Sequence, residues 1–505
     1  MECDLLVVGG GINGAGIARD AAGRGLRVVL CEQHDLAAHT SSASTKLIHG
    51  GLRYLEYYEF SLVRKALAER EVLLAAAPHI LWPLRFVLPH EPHLRPAWMI
   101  RAGLFLYDHL ARRRRLPASR RVRLGRHPAG EPLRPEFTTG FVYSDVWVDD
   151  ARLVVLNAVD AAARGATVLT RTACTRLQRM PADTDGIVGR TDPEAHWLAT
   201  LVTATGEQSV LRARAVVNAA GPWAQRFVET AFRKEPETTL RLVKGSHVVV
   251  PKLYDHDYAY IFQNSDRRIV FAIPYEQEFT LIGTTDVDYQ GDPAQVAIAG
   301  EEVAYLCALA SRYFRREVRP GDVVHSYSGV RPLMGTAEEE AAGVTRDYHL
   351  VLDDEGAPLL NVIGGKITTY RRLAEDALER FAKTFPQASR AWTAGVPLPG
   401  GDVPGGDIEA WRQGLRLRFP QVAPAITDRW ARSYGTRFVD EAEVLGLGEE
   451  VLPGLYAAEV DYLCRHEWAR SAEDILWRRT KLGLHLPRGS EATLQAWLFR
   501  RGIGH

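Results

Sequence analysis

Net charge, cysteine and long apolar runs are all scarce in this chain, and each shortage excludes something. Sixty-two Lys and Arg residues are balanced by 62 Asp and Glu among 505 residues. The chain as a whole therefore lacks the basic field of a nucleic-acid binder, and no nucleic acid is expected as a partner. Five cysteines occur, Cys3, Cys31, Cys174, Cys307 and Cys464. Their odd number, wide scatter and lack of CxxC or ligand spacing argue against disulfides and bound zinc, and point to reduced thiols in a cytoplasmic compartment. No run of about 18 apolar residues is available to span a bilayer. The N-terminal apolar residues are already used by a first strand, so no leader peptide is expected there. Internal repeats and low-complexity tracts are also missing. What remains is an apolar fraction of 46%, ample for large cores in two or three domains.

The most informative stretch is GGGINGAGIARD, Gly9 to Asp20, which follows the apolar run Leu5 to Val8 and precedes a second one, Val28 to Cys31, closed by Glu32. Strand, glycine turn, helix, second strand and terminal acid stand in the register of a dinucleotide-binding βαβ unit. Gly9 allows the tight turn, Gly11 lets the backbone approach a pyrophosphate, Gly14 lets helix and strand sit close, and Glu32 is placed for a ribose 2′-hydroxyl. Two later apolar runs end in small residues: Arg214 to Ala220 before Gly221-Pro222-Trp223, and Leu359 to Ile363 before Gly364-Gly365-Lys366. Ligands bind at such carboxyl ends in a doubly wound sheet. Three segments so far apart in sequence favour FAD over the shorter reach of NAD.

Elsewhere the composition is uneven. Ala97 to Leu110 carries Trp98, Met99, Ile100, Leu104, Phe105, Leu106, Tyr107 and Leu110, and the fifteen residues Arg112 to Arg126 include eight arginines and no acid. An apolar helix running into a basic cluster suits an anionic membrane surface, and equally a core helix followed by a solvated loop. His247 to Asp286 contains short β-rich runs, with a polar turn at Asn264 to Arg267, and reads as an inserted antiparallel sheet. Eight of the twelve residues Gly395 to Gly406 are Gly or Pro, which reads as a linker. Ile408 to Leu498 reads as amphipathic helices.

Chemistry concentrates in SSASTKLIHGGLRY, Ser41 to Tyr54. Its hydroxyls and Lys46 suit cofactor phosphates, and Gly50 and Gly51 let the backbone pass a flat ring. His49 and Arg53 are four apart and would face one cavity if the chain turned helically there, an imidazole beside a guanidinium.

These motifs, together with YSDVWVDDARL from Tyr143, NAAGPW from Asn218, VKGSHVVVP from Val243, IGTTDVDY from Ile282, YSGVRPL from Tyr327, GGKITTYR from Gly364 and HEWARSAEDILWRRT from His466, make nearly the whole chain resemble the FAD-dependent, respiratory glycerol-3-phosphate dehydrogenases. The resemblance implies an α/β, glycine-oxidase-like flavoprotein. A Rossmann-type FAD-binding domain would come from residues 1–75, 140–235 and 325–390, and an antiparallel substrate or cap domain with the membrane-facing segment from 76–139 and 236–324. A linker at 395–406 would lead to a helical C-terminal domain at 407–505. It also implies oxidation of sn-glycerol 3-phosphate at C2, FAD as cofactor, a membrane quinone as electron acceptor, and peripheral attachment to the inner face of the cytoplasmic membrane through an anionic surface. A homodimer is implied by the resemblance alone.

Carried over by motif, Arg53, Tyr54, Arg331 and Lys366 anchor the substrate, His49 and His247 are the candidate proton acceptors, and Arg331 is alternatively a stabiliser of charge on the C2 oxygen. The expected cofactor contacts are Gly9, Gly11, Ile12, Asn13 and Gly14; Glu32 and Gln33; Thr40, Ser41, Ser42, Ser44, Lys46, Leu47, His49, Gly50 and Gly51; Cys174; Ala219, Gly221 and Trp223; and Gly364, Gly365, Lys366 and Thr368. Related glycerophosphate oxidases carry an added stretch between the SGVRP and GGK motifs. Only Leu333 to Ile363 lies there in this chain, which favours a dehydrogenase. Two alternatives stay open, an amino-acid or sarcosine oxidase of the same fold and a flavin-carrying surface protein without dehydrogenase activity.

Overall fold

In the computed structural model, which describes residues 1–91, 96–181, 195–235, 240–264, 268–334 and 347–504, two sheets meet along a seam. The first is built on the strand Glu2–Val8, whose residues after Glu2 are all buried, as in a parallel strand covered on both faces. Its path runs His349–Asp353, Leu359–Ile363, Gln208–Asn218, Glu2–Val8, Val28–Cys31, Thr167–Leu169. All these pairings are parallel except that of the outermost strand, His349–Asp353. The expected strands before Gly221 and Gly364 thus lie side by side with the fingerprint strand, and their carboxyl ends converge. Helices Ile12–Gly23, Asp150–Ala163 and Tyr370–Arg380 pack together on the sheet around one apolar core. Buried ties between them include Arg19 to Asp160 (2.6 Å) and Asn157 Nδ2 donating to Tyr370 Oη (3.0 Å).

The second sheet has ten strands among the described residues. It is not wholly antiparallel, because Tyr258–Gln263 pairs in parallel with Leu81–Pro89. Its membership also departs from the expected boundaries. Leu47–Ile48, Thr139–Val148 and His325–Met334, all expected within the FAD-binding segments, belong to this sheet. The reason is pairing: His325–Met334 runs antiparallel to Leu240–Pro251 over ten residue pairs, and hydrogen bonding of that length outweighs proximity in sequence. Part of the expected turn at Asn264 to Arg267 and part of the stretch between Leu333 and Ile363 lie outside the described residues.

Beyond residue 395 the glycine- and proline-rich stretch is not a loose tether. The Leu398 N–H donates to Ala76 O (2.9 Å), the Thr436 N–H to Gly400 O (3.4 Å), and Arg19 Nη2 to Val396 O (3.3 Å). A Cβ on Gly400 would stand 2.2 Å from the Tyr434 carbonyl, so glycine serves close packing here rather than freedom. The C-terminal domain is helical apart from a short hairpin, Glu450–Leu452 with Leu455–Tyr456, around its own core of Leu415, Trp430, Tyr434, Phe438 and Leu463. Fully buried Arg152 of the first domain joins it to that domain through both oxygens of fully buried Glu467. Removing one partner of such a pair strands a charge in low dielectric. Glu467→Gln is therefore expected to lose about 3 kcal/mol or more of stability, read as a lower midpoint in denaturant unfolding. An unchanged midpoint would show that the pair is not coupled to folding.

Candidate active site

One cavity of about 760 Å³ runs along the seam between the sheets, within the size range of cofactor sites. At one end the fingerprint turn forms its floor. Gly9 has φ +110°, and a Cβ on Gly14 would stand 1.9 Å from the Gly9 carbonyl oxygen, so the turn exists only with glycine at both places. The helix Ile12–Gly23 begins at the wall with Gly11, Ile12 and Asn13. Ser41 Oγ accepts from the Ile12 N–H (3.0 Å), Asn13 Nδ2 donates to Gly364 O (3.1 Å), and buried Asn13 Oδ1 meets no hydrogen-bond partner among the described residues. An orphaned acceptor beside a positive helix end fits a large polar ligand. Glu32 and Gln33 line the same end with Cys174. The Glu32 carboxylate accepts from the Gly10 N–H (2.7 Å) and the His34 N–H (2.8 Å). Burial nevertheless raises its pKa above the ordinary value.

Ala219, Gly221, Trp223, Gly364, Gly365 and Thr368 join the wall from the converging strand ends, and Thr40, Ser41, Ser44, Leu47 and His49 from the hydroxyl-rich segment. The residues present suit FAD. Glu32 would take the ribose, the Gly11 and Asn13 amides the pyrophosphate, and the Thr40–Leu47 and Gly364–Thr368 segments would flank the ring.

Several expected contacts do not reach the wall, each for a local reason. Gly14 serves packing, since a Cβ there would collide with the Gly9 carbonyl oxygen. Lys46 has its ammonium buried against Asp150 Oδ1 (2.8 Å) and donating to Ser42 O (3.0 Å), so it braces the loop from behind instead of facing phosphates; Ser42 Oγ turns back to His39 O (3.1 Å). Gly50 is held from behind, its N–H donating to Tyr107 Oη (2.8 Å). Gly51 takes φ +75° and starts a 3-10 turn, Leu52–Tyr57, not an α-helix. His49 and Arg53 are therefore not stacked by helical spacing. His49 and Tyr54 line the cavity, whereas Arg53 lies off the wall, Nη2 donating to Tyr57 Oη (3.3 Å).

Of the expected cations, Arg331 and Lys366 remain on the wall, where Arg226, which the sequence reading did not single out, joins them. Arg331 is paired with Asp286 and donates to Thr284 Oγ1 (3.3 Å). Lys366 Nζ sits 3.7 Å from the centre of the Tyr54 ring, a cation–π contact that limits where the ammonium points. His247 is 1% exposed and does not line the cavity. It lies behind Thr45, with Nε2 3.0 Å from Thr45 Oγ1, stacked on Tyr327 with ring centroids 4.9 Å apart, and Nδ1 meets no partner among the described residues. Burial, then Arg331 and Lys46, hold its pKa well below the ordinary histidine value. Thr45, expected only as one of the loop's hydroxyls and not as an individual contact, does line the cavity. Its only sequence signal was membership in the hydroxyl run, which cannot say which hydroxyls face inward. His34 and His39 were missed too; they line the cavity 2.9 Å apart, with His39 edge-on to Trp223.

Residues 4–371 match the FAD dependent oxidoreductase family model, and residues 391–497 the C-terminal domain of alpha-glycerophosphate oxidase. A glycerol-3-phosphate dehydrogenase of Pseudomonas aeruginosa is 55% identical over 98% of this chain and 94% of its own length. A D-erythritol 1-phosphate dehydrogenase of Brucella abortus is 50% identical over 98% of this chain and 97% of its own. Among solved structures, the glycerol-3-phosphate dehydrogenase of Bacillus halodurans in complex with FAD superposes with a TM-score of 0.77 at 27% identity, over 99% of this chain and 90% of that one. With a paired cation, a second cation on an aromatic face and a fingerprint turn around one cavity, the chain belongs to the FAD-dependent glycerol-3-phosphate dehydrogenase family.

Proposed function

We propose that the protein oxidises sn-glycerol 3-phosphate at C2 to dihydroxyacetone phosphate and passes the electrons to a membrane quinone while attached peripherally to the inner face of the cytoplasmic membrane. The observation that carries this reading is the presence of Arg331, Lys366 and His49 on the wall of one cavity that also begins at a dinucleotide fingerprint. A phosphate dianion is held by fixed cations, and the departing hydroxyl proton needs an acceptor within hydrogen-bond reach. FAD, when bound, supplies the electron sink by taking the C2 hydride at N5. Arg331 and Lys366 hold the phosphate in this reading, with Arg53 as a third cation at the edge beside Tyr54. His49 accepts the C2 hydroxyl proton. His247 acts one layer back: a proton placed on it would sit buried between the charges of Arg331 and Lys46, so it works as a neutral imidazole that holds the Thr45 hydroxyl.

The membrane part rests on the surface. Helix Ala97–His109 buries Leu104 and Tyr107 but exposes Trp98 (69%), Met99, Phe105 and Leu106, and the nearby turn exposes Tyr57 and Tyr58 (80%). Exposed Arg112, Arg114, Arg115, Arg120, Arg121, Arg123 and Arg126 follow. Aromatic residues beside a basic stretch suit the headgroup layer of an anionic bilayer. No helix among the described residues is long and apolar enough to cross a membrane. Through Tyr107 and Gly50 the same helix touches the segment that carries His49, a short route from bilayer to cavity.

The deciding experiment is the anaerobic visible spectrum of the holoprotein with sn-glycerol 3-phosphate. Bleaching of the oxidised flavin band is expected; a band that survives, or that only D-erythritol 1-phosphate or an amino acid bleaches, would replace the substrate. His247→Gln should lower kcat/KM by less than about a hundredfold, short of the cost of losing a proton acceptor, and leave the acid limb of its pH profile in place. Loss of that limb would return the proton to His247. Reversing charge at Arg112, Arg114 and Arg115 should weaken binding to phosphatidylserine vesicles by about a hundredfold or more while activity with a soluble dye persists. Unchanged vesicle binding would leave these arginines as a solvated loop.

A further inference from the structure

The C-terminal domain contributes nothing to the cavity wall, which draws on no residue beyond Thr368. Yet one short piece of it, Asp474 to Lys481, buries an unusual density of charge against the first domain. The Asp35 carboxylate, 3% exposed, accepts from Arg478 Nε (2.7 Å) and, through both oxygens, from Arg479 Nη1 and Nη2 (2.8 Å each). Asp474 accepts from Arg478 Nη2 and from Arg171 Nη2, both at 2.5 Å. Lys481 Nζ lies 3.2 Å from Asp149. Trp477 stacks on His325 with centroids 4.3 Å apart. Buried ion pairs contribute little net stability over apolar packing of the same volume, so adhesion between domains does not by itself account for this choice of residues.

Each contact instead lands beside a wall segment. Asp35 belongs to the loop whose Gln33, His34, Ala37, Ala38 and His39 line the cavity next to Glu32. The Arg171 N–H donates to His34 O (2.8 Å), closing the same loop from its other side. Asp149 adjoins Asp150, which accepts from the Ser44 N–H (3.1 Å) and Oγ (2.7 Å) and from Lys46, so Lys481 reaches the loop that would flank the flavin. His325 opens the strand that carries Arg331.

Backbone conformation supplies an independent sign that these loops need holding. Left-handed φ angles occur at Ala37 (+59°), Lys46 (+59°) and Arg171 (+53°), none of them glycine. Such conformations are unfavourable for a residue that carries a Cβ and persist where surrounding structure over-determines them. Ala37 lies two residues from Asp35, Lys46 is bonded to Asp150, and Arg171 is bonded to Asp474.

We infer that the Asp474–Lys481 segment is a clasp for the cofactor site: by holding Asp35 and Asp149 it fixes the two loops that close around FAD, with Arg478, Arg479 and Lys481 as positioning residues. The inference rests on FAD as cofactor and is independent of which polyol phosphate is oxidised.

The test titrates FAD into apoprotein prepared from the full-length chain and reads the dissociation constant by flavin fluorescence, alongside Tm with and without FAD. Arg478→Gln should raise the FAD Kd by about tenfold, the scale of one charge-assisted hydrogen bond. The stabilisation conferred by FAD should shrink in step, while kcat per bound flavin and the KM for glycerol 3-phosphate stay within about twofold. Asp35→Asn should do the same, and the double variant should lose less than the sum of the two. An unchanged FAD Kd, with Tm falling equally in apo- and holoprotein, would reduce the segment to interdomain adhesion and overturn the inference, as would additive losses. If either variant fails to fold, Lys481→Met at the shallower Asp149 contact is read by the same titration against the same two outcomes. A flavin that glycerol 3-phosphate does not bleach would change the substrate and leave this result standing.

Discussion

Two consecutive carboxylates, Asp149 and Asp150, tie the hydroxyl-rich loop and the C-terminal domain to one helix terminus. They stand at the start of helix Asp150–Ala163, where the positive end of the helix favours negative charge, and Asp149 caps it by accepting from the Arg152 N–H (3.2 Å). Asp150 then takes Lys46 and Ser44 from the hydroxyl-rich loop, and Asp149 takes Lys481 from the C-terminal domain. Burial works to raise the Asp149 pKa, but the charges of Lys481 and Lys46 outweigh it and keep the group below the ordinary value. One helix terminus thus orients a sheet, a cavity wall and a remote domain.

Around that anchor the work is divided by sheet. The parallel sheet supplies strand ends and glycine turns, which bring backbone N–H groups to a cofactor and, just after Leu359–Ile363, Lys366 to the cavity wall. The second sheet supplies Arg331 and, one layer behind the wall, His247 and Tyr327. The cavity lies at the seam, where backbone donors and Lys366 from one sheet face Arg331 from the other. Asp286 beside Arg331 fixes the direction of that guanidinium on the cavity wall.

Much of the site was legible because its signals are local. The Gly9–Gly14 turn and Glu32 are dictated within one βαβ unit, and the strands before Gly221 and Gly364 end in small residues for a reason visible in the chain itself. The helix Ala97–His109 was legible as an apolar, aromatic-rich helix, but not which of its residues enter the core: Leu104 and Tyr107 do, while Trp98 and Phe105 face out. The placement of Lys46, Arg53 and His247 was not legible, since each sits in a motif that suits a ligand and then turns to a partner distant in sequence or set by an unforeseen turn. The Gly- and Pro-rich stretch at 395–406 misled for a related reason: close backbone packing demands glycine as much as flexibility does.

By itself the sequence determined the fold class, the dinucleotide turn and the family, because each depends on residues close together or on motifs long enough to be specific. Tertiary structure alone decided which hydroxyls of the Thr40–Lys46 run face the cavity, that Thr45 stands between it and His247, that His325–Met334 joins the second sheet, and that Arg478 and Arg479 meet Asp35 more than 440 residues away. Those outcomes depend on pairing and desolvation across the whole molecule, where a buried charge accepts whichever opposite charge the packed backbone brings within hydrogen-bond distance.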